Sequence, residues 1–395
     1  MLSIDDRVDP SQVTPSGRPR ARALGIPLDG RPGPHNAITD VPGVQVGYTT
    51  LIEGAGPLVT GQGPVRTGVT AILPRGRDGV GRACAAGWFS LNGNGEMTGT
   101  AWIEETGALA MPVVITNTHA VGPAHRGVVD WVVAHHPQAA RQWLLPVVGE
   151  TWDGYLNDIN GSHVRPEHAV AALDSAASGP VDEGSVGGGT GMNCYDFKGG
   201  SGTASRVVDY GSRSYTVAAF VQANFGSRRE LVVAGVPVGR ALLDDNPMEA
   251  NASWPAPSGA GSVIVVIATD APLLPGQCKA LARRVPIGLG RTGTSGSHFS
   301  GDLFLAFSTA NDAALSSTFP RGAATDEDYE SLTFVPWGRI DPFFEATVQS
   351  VEEAVLNALV ANETMTGRDD HRSPALPHTR LRDLLATGRQ ELTAP

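Results

Sequence analysis

A single hydroxyl stands at the start of an apolar run in the second half of the sequence. Residues 258–273 read SGAGSVIVVIATDAPL, so Ser262 follows Gly261 and precedes the β-branched run Val263–Ile267. The simplest interpretation is a serine that ends a loop before a buried strand. The alternative is chemical: the protein itself cuts the Gly261–Ser262 bond, and Ser262 becomes the nucleophile at a new N-terminus.

The chemistry of this alternative follows from the two residue types. A serine hydroxyl is a weak nucleophile and needs a nearby base. In the uncut chain, Ser262 Oγ would attack the Gly261 carbonyl and convert the amide into an ester, which water would then hydrolyse. Gly261 has no Cβ, so the backbone can bend toward that geometry. After cleavage, the α-amine of Ser262 would have an ordinary pKa of about 7.7–8.0. That value suits a general base near neutral pH.

Other stretches that often carry chemistry give weaker signals. The glycine-rich segments 184–192 and 197–206 do not match the phosphate-binding loop motif GxxxxGK[ST]. Tight turns are therefore the simpler interpretation, although they do not explain why Lys198 lies among polar residues there. Asn92 and Asn94 in SLNGNGEMTG are typical of a turn, and at most of a site wall. The ten histidines are scattered and neither HExxH nor GxSxG occurs. We therefore expect no metal and no cofactor.

The elements that must position Ser262 are a mixture of strands and helices. Apolar and β-branched runs predict strands within 36–50, 67–76, 231–239, 263–270 and 302–309. Apolar residues three and four apart predict helices within 275–290 and 341–362, the second with a cap at Asp341 and a first-turn proline at Pro342. Because strands and helices do not alternate regularly, the sequence predicts an α+β fold rather than a doubly wound sheet.

The ends of the chain and the segment before Ser262 have a different composition. Residues 1–30 predict a flexible, mostly disordered N-terminal arm, and residues 31–385 predict a single catalytic domain. The Pro-rich stretch 240–261 has no apolar period, as expected of a flexible tether that leads to a cleavage site. The tail 363–395 is polar, with one short helix expected near LRDLL.

Composition also limits the partners of the chain. The net charge of −11 and the lack of a basic cluster argue against nucleic acid. The N-terminal region has no apolar core of a signal peptide, and no apolar run is long enough to span a membrane. Cys84, Cys194 and Cys278 lie far apart without a CxxC pair, which favours reduced thiols. We therefore expect a cytoplasmic protein that contacts neither membrane nor nucleic acid.

Several segments, in their order along roughly residues 20–385, resemble one family of hydrolases. The sequence is similar to the DmpA-type L-aminopeptidase/D-esterase family, which includes the β-peptidyl aminopeptidases and, more distantly, nylon-oligomer hydrolases. The matching segments are NAITDVPGVQVGYTT, VRTGVTAILPRG, NGNGEMTG, ETWDGYLNDING, GGGTGMNCYDFKGGSGTASR, VQANFG, GSVIVVIATDAPLLPGQ, SGDLFLAFSTAN and NALVANETMTGRD.

The resemblance implies a fold, a maturation step and a substrate class. The implied fold is a four-layer αββα sandwich that is similar to N-terminal nucleophile hydrolases but differently connected. The implied maturation is cleavage at Gly261–Ser262 into chains 1–261 and 262–395, which assemble as a homo-oligomer, commonly a tetramer of cleaved pairs. The implied substrates are small peptides, amides or esters that have a free amine.

The resemblance also assigns roles to residues at matching positions. Ser300 and Asp302 match a supporting pair; their i, i+2 spacing on a strand lets both point at one site, where Asp302 would hold Ser300 and Ser300 would orient Ser262. Asn224 matches an amide that donates to an oxyanion. The alternatives are a strand-start cap for Ser300 and Asp302, and a turn for Asn224.

Three further positions match the family at or near the site. Lys198 matches a family lysine whose charge suits the site, with structural ion pairing as the alternative. Glu150 matches the carboxylate that receives the substrate amine, with a solvated loop as the alternative. Trp152 replaces a tyrosine of well-described relatives; an indole N–H donates but neither accepts nor ionises, so the acyl pocket is expected to differ in shape.

The sequence thus predicts a self-processing serine aminopeptidase or amidase that works through an acyl-enzyme on Ser262. Two alternatives remain: an acyltransferase of similar fold, in which an amine takes the acyl group, and an uncleaved, non-catalytic relative. The second alternative is disfavoured because the sequence retains the residues of the expected site, Gly261, Ser262, Ser300 and Asp302.

Overall fold

The computed structural model describes residues 9–251, 259–312, 314–320 and 322–393. The strands are β1 (Gln45–Glu53), β2 (Val65–Leu73), β3 (Cys84–Gly93), β4 (Ala108–Leu109), β5 (Val113–Asn117), β6 (Val147–Thr151), β7 (Asn193–Cys194), β8 (Phe197–Lys198), β9 (Gly200–Tyr210), β10 (Arg213–Asn224), β11 (Gly261–Thr269), β12 (Ser300–Ser308), β13 (Met365–Thr366) and β14 (Arg372–Ser373). The α-helices are α1 (Thr100–Thr106), α2 (Val121–His135), α3 (Pro166–Ser175), α4 (Val238–Ala241), α5 (Pro247–Ala250), α6 (Pro275–Ala282), α7 (Val285–Arg291), α8 (Asp341–Val360) and α9 (His378–Thr393).

Two sheets lie face to face and share an apolar interior. The first has the strand order β1-β2-β5-β6, and the second has the order β4-β3-β12-β11-β10-β9. In the second sheet, β11 pairs in parallel with β12 and antiparallel with β10. Most neighbouring strands in both sheets pair antiparallel, so the prediction of an α+β fold is confirmed.

Three apolar clusters define four layers. One cluster fills the space between the sheets, and the strand β6 contacts β11 across it. The second lies between the first sheet and helices α2 and α3, and the third lies between the second sheet and helices α6, α7 and α8. The order helix, sheet, sheet, helix confirms the αββα sandwich that the resemblance implied.

The alternation of side chains along β11 explains why this strand is buried on both faces. Ile264 and Val266 point into the cluster between the sheets, whereas Val263 and Val265 point toward the helices. Because side chains alternate with a period of two, Ser262 shares the inner face with Ile264. The hydroxyl therefore lies at the end of the strand, between the two sheets.

The predicted strands and helices match the structure in most places. The strand expected at 263–270 spans Gly261–Thr269 and the one at 302–309 spans Ser300–Ser308. The helix expected at 341–362 spans Asp341–Val360 with proline in its first turn, but Ile340 is the capping position and no side chain caps it. The helix expected at 275–290 is interrupted between Ala282 and Val285, so α6 and α7 are separate helices.

One predicted strand is wrong. Residues 231–239 do not form a strand, because Ala234 and Gly235 adopt left-handed backbone angles and make a tight turn between Val233 and Val236. The run is apolar because Leu231 and Val233, which lead into the turn, are both buried.

The N-terminal arm is ordered from residue 9 onward, and residues 1–8 lie outside the described part of the chain. Arg20 is buried and donates Nε to Glu183 Oε2 at 2.6 Å, while Ala21 and Leu24 join the apolar core beside α8. A buried ion pair and two apolar anchors fix residues that composition alone marked as flexible.

Candidate active site

Ser262 is almost fully buried at the start of β11. Its side chain is 2% exposed, and its Oγ accepts a hydrogen bond from Trp152 N at 3.1 Å and one from Asn224 Nδ2 at 3.4 Å. The preceding residue has no room for a side chain, because a Cβ on Gly261 would lie 1.9 Å from the Asn224 carbonyl oxygen. Glycine is thus required by close backbone approach at this bond, as well as being permissive for bending.

Asn224 is held in one orientation beside the hydroxyl. It lies at the end of β10, directly opposite Ser262 in the antiparallel register. Its Oδ1 accepts from Asn193 N at 2.8 Å, and its Nδ2 donates to the Trp152 carbonyl at 2.9 Å. These partners fix which end of the amide carries the hydrogens. The side-chain N–H therefore faces Ser262, beside which the oxygen of an attacked carbonyl would become negative during acyl transfer.

Glu150 lies on the neighbouring sheet, near the end of β6. Its side chain is buried, and its two oxygens accept hydrogen bonds from Glu96 N at 2.8 Å and from Thr118 Oγ1. Burial raises the pKa of the Glu150 carboxyl, although both hydrogen bonds act in the opposite direction. A carboxylate so held can gain stability from a cationic ligand, and a substrate ammonium is such a ligand.

Ser262 and Glu150 share one cavity of about 870 Å³. Its described walls are Asn94, Thr118, Glu150, Trp152, Tyr155, Asn193, Asp196, Asn224, Gly226, Met248, Glu249, Asn251, Gly259, Ala260, Gly261, Ser262, Phe299, Arg368, Asp369 and His371. This size fits a short peptide or an amino-acid amide. The last residues before the predicted cleavage bond form part of the wall, and residues 252–258 of the expected tether lie outside the described residues.

Trp152 takes part in the site through both its backbone and its side chain. The backbone N–H and carbonyl bind Ser262 and Asn224, so these contacts do not depend on the side-chain type. The indole folds back over Gly154, where a Cβ would lie 2.4 Å from Trp152 Cζ2. Trp152 therefore shapes the cavity wall through its ring.

Ser300 and Asp302 form a pair, but not with the Ser262 hydroxyl. Ser300 Oγ donates to Asp302 Oδ1 at 2.5 Å, and Asp302 Oδ2 accepts from Asn92 Nδ2 at 2.9 Å. In the parallel register, Ser262 lies beside Gly301, whereas Ser300 lies beside Gly261. Neighbouring residues in register share a face, so Ser300 points away from the Ser262 side chain.

Ser300 is therefore not among the described donors to Ser262 Oγ in the uncut chain, and its role in orienting Ser262 stays a prediction. The donors to Ser262 Oγ among the described residues are Trp152 and Asn224. Ser300 instead lies next to Gly261, whose carbonyl carbon belongs to the bond expected to break. Burial raises the pKa of Asp302, against the effect of its bonds from Ser300 and Asn92.

Lys198 lies behind the site rather than on its surface. It is fully buried, and its Nζ donates to the Met192 and Gly199 carbonyls at 2.7 Å each. Burial lowers its pKa to about 7, although the nearby Cys194 and Asp153 act in the opposite direction. Lys198 is not among the cavity walls. Its contacts fix the backbone beside Asn193, the residue that orients Asn224.

Several wall residues carry no sequence signal of their own. Asn94, expected at most as a site wall, lines the cavity and donates to the Phe299 carbonyl at 3.0 Å. Thr118 stands in an unremarkable context, and Asp196 and Arg368 appear only as unassigned members of quoted segments. They meet at one cavity through tertiary structure.

The described residues contain no group of three or more His, Cys, Asp and Glu side chains arranged to hold a metal ion. None of the helices formed by these residues is both long enough and apolar enough to cross a membrane.

Comparisons with known proteins show the family to which the chain belongs. The family model of peptidase family S58 matches residues 36–373. The chain is 50% identical over 379 residues to a β-peptidyl aminopeptidase, BapA, of Sphingosinicella microcystinivorans, covering 94% of this chain and 93% of that protein.

Solved structures give the same result. The L-aminopeptidase D-Ala-esterase/amidase of Ochrobactrum anthropi, described as a variant of the Ntn hydrolase fold, superposes with a TM-score of 0.86 at 48% identity, covering 94% of this chain and 99% of that one. A β-aminopeptidase of Burkholderia gives a TM-score of 0.82 at 46% identity, covering 93% and 98%. This chain therefore belongs to peptidase family S58 and is a hydrolase of the aminopeptidase type.

Proposed function

We propose that this enzyme cuts itself at Gly261–Ser262 and then releases N-terminal residues from short peptides, amides or esters through an acyl-enzyme on Ser262. The observation that supports this most directly is the shared cavity, in which a buried serine with two N–H donors and a buried carboxylate face the same space. A nucleophile, oxyanion donors and an anchor for an amine are the parts that such a reaction requires.

The first step is cleavage of the chain. Ser262 Oγ attacks the Gly261 carbonyl carbon, the C–N bond breaks, and the Ser262 nitrogen takes the hydroxyl proton. Water then opens the ester, leaving a carboxylate at Gly261 and a free amine and hydroxyl at Ser262. Ser300 lies beside Gly261 in the register, and we assign it with Asp302 the task of positioning the groups at this bond.

The same groups then act on substrate. The Glu150 carboxylate holds the substrate ammonium, and Ser262 Oγ attacks the carbonyl as the Ser262 α-amine takes the hydroxyl proton and passes it to the leaving amine. Trp152 N–H and Asn224 Nδ2 donate to the developing oxyanion. Water finally releases the acyl group as the free amino acid.

The two chains are expected to remain one catalytic unit. β11 lies between β10 and β12 within the second sheet, so the second chain's first strand keeps its hydrogen bonds on both edges after the cut. The family resemblance supports a homo-oligomer, commonly a tetramer, of such cleaved pairs.

Product analysis tests the activity and separates it from the alternatives. Alanine and β-alanine p-nitroanilides are incubated with the enzyme, with and without an added primary amine, and Ser262→Ala serves as the control. The proposal expects p-nitroaniline and the free amino acid in both conditions, and neither from Ser262→Ala. An acyl–amine conjugate as the main product would indicate an acyltransferase, and no release from either substrate would indicate a non-catalytic relative.

A further inference from the structure

The cavity has a cationic side chain on a wall that the proposed reaction does not use. Among the described residues that line it, Arg368 is the one arginine or lysine. Its side chain is 22% exposed, and its buried Nε has no hydrogen-bond partner among the described residues. The nearest carboxylate oxygen to that Nε is Asp369 Oδ2 at 3.5 Å, which is too far for a hydrogen bond.

The neighbouring aspartate does not fully engage this guanidinium. Asp369 Oδ1 accepts from Leu58 N at 2.8 Å, and the Asp369 side chain is 40% exposed. An exposed ion pair of this geometry stabilises a fold by little. Arg368 thus has a buried Nε–H without a partner among the described residues, and a guanidinium is a side chain suited to binding a carboxylate.

The loop that carries Arg368 is held rigidly against the site. Arg368 N donates to the Leu156 carbonyl at 2.9 Å, and Asp369 N donates to the Gly56 carbonyl at 2.8 Å. The ring of His371 stacks on Tyr155 with centroids 4.7 Å apart. Tyr155 and Leu156 follow within five residues of the end of β6, the strand that carries Glu150. The loop of Arg368 is therefore held against the segment that follows Glu150.

Other acidic groups of the cavity have partners of their own. Asp196 and Glu249 both accept from Asn246 Nδ2, at 3.0 Å and 3.3 Å. Glu150 is the anionic anchor that the proposed function assigns to the substrate ammonium, and Arg368 is a cationic anchor on the same cavity.

We propose that Arg368 binds the C-terminal carboxylate of the substrate, so that the enzyme prefers short peptides with both ends free. This inference rests on the proposed function, because it places the substrate's ammonium at Glu150 and its scissile carbonyl at Ser262. A cavity of about 870 Å³ that both residues line is large enough for a dipeptide or tripeptide.

The test compares peptides that differ only at the C-terminus. Alanyl-alanine and β-alanyl-alanine are supplied as free acids and as C-terminal amides, together with the matching p-nitroanilides, and kcat/KM is measured for wild type and Arg368→Gln. We expect wild type to prefer the free acid by about 10-fold or more, as for loss of a charged hydrogen bond. Arg368→Gln should lose that preference, so that its ratio of kcat/KM for the free acid to kcat/KM for the amide falls to about 1.

Two further variants separate recognition from folding. Arg372→Gln removes a nearby arginine that pairs with Asp245 and does not line the cavity, so it should keep the preference. Arg368→Lys should keep part of it, because the charge remains but the planar fork is lost. If Arg368→Gln fails to fold, the inference is still tested by two measurements. These are the wild-type ratio of kcat/KM for the free acid to kcat/KM for the amide, and the same ratio in Arg368→Lys.

The outcomes distinguish this inference from the proposed function. Equal turnover of acid and amide by wild type would overturn the inference, and so would an equal loss on all substrates in Arg368→Gln. Both results leave the proposed function intact if the p-nitroanilides are hydrolysed. Failure of wild type to hydrolyse any of these compounds would overturn the proposed function and this inference with it.

Discussion

Replacing Glu150 by glutamine removes the negative charge that is proposed to hold the substrate amine while changing the volume very little. The glutamine carbonyl can still accept from Glu96 N, and its NH2 can donate to the Thr118 hydroxyl, which can turn to accept it. We therefore expect Glu150→Gln to fold and to cleave itself as wild type does. Its defect should be confined to recognition of the substrate amine.

The size of the defect follows from the environment of the carboxylate. Glu150 is 2% exposed, so solvent screens its attraction to an ammonium only weakly. Loss of one such charge-assisted contact amounts to about 1.4–2.7 kcal/mol, or about 10–100-fold in kcat/KM. N-acetylated substrates lack the positive charge, so wild type should reject them.

The assay measures kcat and KM for p-nitroanilide release with free and N-acetylated substrates. Glu96→Gln is the matched control, because the Glu96 side chain is exposed and is not among the cavity walls, while its backbone N–H still binds Glu150. It should change kcat/KM by less than about 2-fold. Equal turnover of free and acetylated substrates by wild type, or unchanged kcat/KM in Glu150→Gln, would refute the assignment.

Two other predictions concern the carboxyl groups of the site. Ser300→Ala and Asp302→Asn should each slow both self-cleavage, followed on gels, and substrate turnover. The double variant should be scarcely worse than the worse single one, because a hydrogen bond joins the two side chains. A lowered melting temperature with normal cleavage and turnover would instead show that the pair is a structural cap. Because burial raises the pKa of Glu150, inhibition by the free amino-acid product should weaken as the pH falls through that raised value, by about tenfold per pH unit below it. The Ki of the product in Glu150→Gln should be flat over the same range, and a pH-dependent Ki in that variant would contradict the assignment.

Local sequence patterns predicted the elements whose burial is uniform. The β-branched run Val263–Ile267 and the long helix Asp341–Val360 are clear because their apolar spacing is set by one strand or one helix face. The segment 231–239 has the same kind of residues but turns back on itself at Ala234 and Gly235. Composition does not distinguish an apolar turn from a strand when both are buried.

The site could be predicted only in part for a related reason. Ser262, Asn224 and Glu150 were indicated by resemblance, and the structure brings all three to one cavity. The side of the sheet on which Ser300 lies depends on the parallel register between β11 and β12, which no local pattern encodes. Arg368 reaches the cavity only through the contact between two distant loops.

Self-cleavage would make Ser262 an N-terminal residue, and the masses of the purified chains report on this without any substrate. Denaturing intact-mass measurement should show two chains that co-purify, residues 1–261 and 262–395, with serine as the first residue of the second. Ser262→Ala should remain a single chain of 395 residues. A wild-type protein that stays full-length after prolonged incubation, or that is cut at another bond, would contradict the account.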